Sequence, residues 1–132
     1  MDWNSILDAR LLQTGKIDHA AIIALDGSSV LANSPDFTIL PNEIQHITAA
    51  LRDRSAFDSL MGTGIRANGD KYFYVDGNFS EGYVAAKHEA NGVFIARTNT
   101  AALVVHFSAP YQGAEVASIV FPLADEVRDS GY

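Results

Sequence analysis

The chain has 132 residues, 48% of them apolar, which suits a single domain over residues 1–132 with a core that needs no staples. Its 9 Lys and Arg against 16 Asp and Glu give a formal charge of −7, opposing general binding to nucleic acid or to anionic membranes. No cysteine supplies a disulfide, the longest strongly apolar run is AAIIAL, and the first turn carries Asp2 and Asp8 with no cationic leader, so a soluble cytoplasmic protein is expected.

Asp2 is a good N-cap, and Trp3, Ile6, Leu7, Leu11 and Leu12 follow at helical spacing, so an amphipathic helix is expected up to TGK. HAAIIALDGSSVLANS predicts a hairpin of two short strands around DGSS, where Gly27 permits a positive φ. LPNEIQHITAALRD places Pro41 just inside a second helix, near Asn42 to Asp53, with Ile44, Ile47 and Leu51 on one face. A shorter helical turn is expected at AFDSLM.

From GIRANGDK to VVHFS the rhythm becomes β-rich, with turn signals at Asn68-Gly69, Asp76-Gly77, Asn91-Gly92 and Thr98-Asn99-Thr100. These short connections predict an antiparallel meander of about five strands and exclude a parallel βαβ arrangement. In GAEVASIVFPLADEVRDSGY, residues Val116, Ile119, Val120, Leu123 and Val127 form a helical stripe interrupted by Pro122. Interior proline costs a helix about 3 kcal/mol, so the helix either kinks near Ser118 or starts close to Pro122. The expected fold is α+β: a central antiparallel sheet of about six to seven strands, with helices contributed by the two chain ends and by one internal segment.

Signatures of chemistry are sparse. His19, His46, His88 and His106 have no metal-ligand spacing, so neither a metal nor a cofactor is expected. GTGIRANGDK imitates a phosphate loop, but Asp70 stands where that loop needs lysine, and a strand follows instead of a helix. No serine sits in a GxSxG elbow, and the carboxylates around Asp125-Glu126 belong to a wet helix face. The residues therefore point to a binding protein, with an enzyme using His106 and a nearby carboxylate as a remote alternative.

Trp3 and Tyr132 are large aromatics at the two ends of the chain, and together with several collinear segments they resemble the profilin family. LLQTGKIDHAAIIALDGSSVLANSPDF is similar to that family's first helix and first two strands, and LPNEIQHI to its second helix. MGTGIRANGDKYFYV, NGVFIARTNTAALVVHF and LADEVRDSGY continue the likeness, which covers essentially the whole chain. The resemblance implies N- and C-terminal helices packed on one face of the sheet and one or two short helices on the other, in a monomeric cytoskeletal protein that binds monomeric actin on one surface, promotes nucleotide exchange and delivers actin to growing filament ends. On another face it implies a groove for proline-rich segments, whose pre-ordered polyproline II helix stacks on flat rings at little entropic cost.

Carried over residue by residue, the groove comprises Trp3, Ile6, Leu31, Glu126, Val127 and Tyr132. Trp3 and Tyr132 match the family's aromatics, whereas Ile6, Leu31 and Glu126 stand where rings are usual. A weaker groove is the implied result. The actin face maps to Arg66, Lys71, Lys87, Arg97, Tyr111, Gly113, Ser118 and Phe121. Phosphoinositides, which the family is also associated with, are expected to bind at most weakly to so acidic a chain. The alternative is a scaffold of the same fold that binds another protein or peptide and not actin.

Overall fold

The computed structural model describes residues 1–132. Seven antiparallel strands form one sheet in the order β2-β1-β7-β6-β5-β4-β3. They are β1 (His19–Ala24), β2 (Val30–Asn33), β3 (Ile65–Ala67), β4 (Asp70–Asn78), β5 (Tyr83–His88), β6 (Asn91–Arg97) and β7 (Ala101–Ser108). The N-terminal hairpin turns at Gly27, φ 82°, as expected, and joins the meander because β1 pairs with β7, His19 opposite His106 and Ala24 opposite Ala101.

Side chains on the central strands alternate between two dry layers, so β1, β6 and β7 read as continuous apolar runs. One layer holds Leu7, Leu11, Ile22, Phe94, Leu103, Phe107, Val120 and Leu123 beneath the terminal helices. The other holds Ile23, Ile47, Leu51, Phe57, Tyr72, Ile95 and Val104 beneath helices α2 (Pro41–Arg52), α3 (Arg54–Asp58) and α4 (Leu60–Thr63). The internal layer thus has three helices where one or two were expected, because AFDSLM divides at Ser59 into two short turns.

The first helix is a composite: α1 (Trp3–Ile6), a π-helical turn over Leu7–Leu11 and a 3-10 turn over Leu12–Thr14. The last, α5 (Gly113–Asp129), runs unbroken through Pro122, so a start near Pro122 is corrected. Pro122 and Ser118, whose carbonyl it leaves without the usual donor, are both exposed, on the side of the helix where solvent can reach such an oxygen. Val116, Val120, Leu123 and Val127 are buried as expected; Ile119 is only half-buried.

Two turns are shifted from their sequence signals. Asp76-Gly77 lies within β4, where the ladder to β5 slips between Tyr74 and Asp76, and the chain reverses only after Asn78. The bulge takes up the flexible dipeptide that otherwise makes a turn. Asn91-Gly92 begins β6, the reversal being at Glu89-Ala90 with Glu89 at φ 56°. Gly64, at φ 68°, brings its backbone against β4: a Cβ there would sit 2.4 Å from the Tyr72 carbonyl oxygen.

Candidate functional site

Two surfaces gather the residues singled out in the sequence. The first is the seam between the terminal helices. Asp2 caps α1, with Oδ1 accepting from the Ser5 amide at 3.1 Å and Oδ2 from the Ser5 hydroxyl at 2.7 Å. These bonds, the hydroxyl's foremost, hold its pKa below the ordinary carboxylate value. The cap fixes the first turn so that Trp3 packs half-buried on the core one turn ahead of Leu7.

At the other end, the Tyr132 amide donates to the Val127 carbonyl at 3.0 Å. Its main-chain oxygen accepts from the Thr98 hydroxyl at 2.9 Å, the Thr100 hydroxyl at 2.7 Å and the Thr100 amide at 2.5 Å. The β6–β7 turn therefore anchors Tyr132, which stays 40% exposed, and its ring meets the edge of Trp3 with centroids 6.1 Å apart. Two ion pairs continue the seam, Arg10 with Glu126 and Lys16 with Glu115 at 3.7 Å, each with the cation from the N-terminal segment and the carboxylate from α5.

Of the six groove residues, Trp3, Ile6 and Leu31 are half-buried against the layer beneath the terminal helices, and Glu126 and Tyr132 are exposed beside it. Val127 is not on the surface: at 2% exposure it supports the groove from below, because its helical phase is that of Val120 and Leu123. Arg10 was missed by the sequence reading. Its partner is visible only when the π-helical turn that follows α1 is laid beside the end of α5.

The second surface lies where α5 stops covering the sheet. Phe73 and Val75 on β4 are 55% and 59% exposed. The Lys71 ammonium sits 5.3 Å from the Phe73 ring centroid, the His88 ring meets it edge-on at 5.5 Å, and Lys87 is its cross-strand partner. Beside it runs a groove of about 530 Å³ whose floor includes Val75, Ala85, Phe94, Phe107 and Phe121, with Lys87 and Gly113 on its walls. The Phe121 ring is set edge-on against Tyr83 at 5.0 Å and Phe94 at 5.3 Å. Tyr83 donates to Asp76 at 3.1 Å, and burial followed by that carboxylate pushes its phenol pKa up.

The structure brings Lys71, Lys87, Gly113 and Phe121 to this surface. Arg66 pairs with Lys71 across the edge strand β3, Tyr111 lies in the approach to α5, and Ser118 is exposed on α5 with its hydroxyl donating to the Glu115 carbonyl at 2.6 Å. Arg97 is elsewhere. Its guanidinium points into the opposite layer and donates to the carbonyls of Leu51 at 2.5 Å and Phe79 at 3.1 Å, so it ties α2 to the β4–β5 connection. Burial and then neighbouring Arg128 lower its pKa. Phe73 and Val75 were missed because the alternation of KYFYV separates two faces without saying which one lies open.

His106 does meet a carboxylate: its Nδ1 lies 2.5 Å from Asp18 Oδ1, and Ser108 donates to Oδ2 at 2.9 Å. The residue is 9% exposed, its ring packed among His19, Phe37 and Tyr72, away from both surfaces. Burial pushes the Tyr72 phenol up to about 12, with Asp70, Asp18 and Glu43 adding to the effect. No helix is long and apolar enough to cross a membrane.

The family model described as Profilin matches residues 1–132. Profilin of Schizosaccharomyces pombe is 36% identical over 132 residues, covering 100% of both chains. Its crystal structure superposes with a TM-score of 0.91, at 35% identity over 98% of this chain and 99% of that one. Two solved complexes share the fold: mouse profilin IIa with a double repeat from the FH1 domain of mDia1, at TM-score 0.76, 20% identity and coverages of 96% and 99%, and LokiProfilin1 with rabbit actin, at TM-score 0.75, 21% identity and coverages of 95% and 93%. With the family model matching end to end and a full-length relative above 30% identity, the chain belongs to the profilin family.

Proposed function

We propose that this chain binds monomeric actin through the surface around Phe73, regulating filament assembly by nucleotide exchange and delivery to growing ends, and that it is a cytoplasmic monomer acting as a single domain, not an enzyme. One observation carries the actin reading: an exposed aromatic, Phe73, held between Lys71, Lys87 and His88, beside an apolar groove that Lys87 and Val75 help to line. An anchor ring with a cationic rim is the arrangement by which protein interfaces concentrate binding energy at the centre and steer an acidic partner from the edge. A family relative is solved with rabbit actin on this fold, which supports the assignment.

Arg66, Tyr111 and Ser118 extend the same surface, and Arg97 serves it only by holding the scaffold. The seam of Trp3, Ile6, Leu31, Glu126 and Tyr132 takes proline-rich segments, more weakly than a groove with a full set of rings. Phosphoinositide binding is weak, since the cations sit in an overall charge of −7. The test is pyrene-actin assembly together with release of a fluorescent nucleotide from actin monomers. Slower spontaneous assembly and faster release at micromolar protein support the reading; no effect on either at high micromolar protein overturns it and leaves a scaffold for a different partner.

A further inference from the structure

The chemistry of the terminal-helix seam goes beyond a groove that has lost rings. Glu126 contacts Arg10 only through Oε2, and Oε1 has no hydrogen-bond partner within the chain. Both side chains are about half exposed, at 59% and 47%, so the pair is weakly held and open to a competing cation. The other exposed charged side chains of the first-helix segment and the last turn of α5 are Asp2, Asp8 and Asp129, while Arg128 is turned inward onto the Arg97 carbonyl and Asp125. These two segments therefore expose four carboxylates against Arg10 and the Met1 ammonium, which acts on Asp2.

The end of α5 sets where a ligand would meet this charge. The helix stops at Asp129, and Gly131 at φ 92° turns the chain so that the Tyr132 amide reaches the carbonyl of Val127, the residue next to Glu126. A polyproline II helix has three residues per turn and no internal hydrogen bonds, so it projects side chains outward on every edge. A segment stacked on Trp3 and Tyr132 thus carries its neighbouring side chains past Glu126.

We infer that the groove selects proline-rich segments carrying a Lys or Arg close to the residue stacked on Trp3 and Tyr132, with Glu126 as the specificity-determining residue. This rests on the groove binding proline-rich segments at all, and the experiment separates the two. Three peptides of nine prolines and one central Lys, Gln or Glu are titrated at low salt, with binding read from the fluorescence of Trp3, the one tryptophan. The Lys peptide is expected to bind about threefold to fivefold tighter than the Gln peptide, the scale of one exposed ion pair, and the preference to vanish at high salt.

Glu126→Gln is expected to erase the Lys-over-Gln preference, each peptide being compared with the others on the same variant. Arg10→Gln, which frees the carboxylate, is expected to enlarge it. Equal binding of all three peptides, or a preference for Glu, overturns the charge selectivity and leaves the groove standing. Absence of binding by any of them, and by a proline decamer, overturns the groove and this inference together.

Discussion

The rings of Trp3 and Tyr132 meet edge to face, their centroids 6.1 Å apart and their planes at 88°, although 128 residues of chain lie between them. Both rings are therefore held in place before any ligand arrives, and preorganisation lowers the ordering cost of binding. Trp3→Ala is expected to weaken binding of a proline decamer about fivefold to thirtyfold, read by isothermal calorimetry since the fluorophore is lost. A groove ring fully stacked on a ligand contributes on the order of 1–2 kcal/mol, which sets that scale. Unchanged affinity would remove Trp3 from the site.

Tyr132 owes its position to two hydroxyls on the β6–β7 turn. Replacing Thr98 and Thr100 with Val deletes both donors to its main-chain oxygen and leaves only the Thr100 amide. Two hydrogen bonds at about 1 kcal/mol each predict a loss of roughly 1–3 kcal/mol in chemical denaturation, faster amide exchange at Gly131 and Tyr132, and several-fold weaker proline binding. Binding that persists while exchange accelerates would show that the Tyr132 ring is dispensable.

Lys87 and Arg97 separate recognition from scaffold. Lys87→Glu reverses a charge on the rim of the Phe73 surface and is expected to weaken actin binding about tenfold or more, with stability changed by less than about 0.5 kcal/mol. Arg97→Glu removes donors from the Leu51 and Phe79 carbonyls and puts a carboxylate among them, so a loss of about 3 kcal/mol or more is expected. A fully stable Arg97→Glu variant with impaired actin binding would return Arg97 to the interface.

Asp18 gives the fold an acid-sensitive contact. Burial by itself raises its pKa, but hydrogen bonds from His106 and Ser108 outweigh this and hold it below the ordinary 3.8. A carboxylate lowered in the folded state binds fewer protons there than when unfolded. Its contribution is complete above about pH 4 and is lost as the pH falls through the native value. Thermal melts of the parent and Asp18→Asn are expected to differ at neutral pH and to converge as the pH falls below 3.8 and through the native value; a gap that stays constant throughout would exclude this linkage.

Local signals carried most of the architecture. Pro41 at the first position of α2 and alternation along the meander are short-range facts, and each located its element within a few residues. The misplaced turns have a shared cause: Asp76-Gly77 and Asn91-Gly92 have turn chemistry, but cross-strand pairing absorbed one into a bulge and moved the other into β6. Pro122 misled similarly, since its local cost is tolerated where the freed carbonyl lies on the exposed side of the helix and the inner stripe stays buried.

The sequence by itself determined the sheet-and-helix composition, the buried stripe of the last helix and, through collinear likeness, the family, because periodicity and residue type are written along the chain. Only the tertiary structure decided which cations are available and which are tied down, that Val127 lies under the groove, that Arg10 meets Glu126, and that Phe73 is left uncovered. Those outcomes depend on which faces two distant segments present to each other, a relation of angle and register that no local spacing encodes.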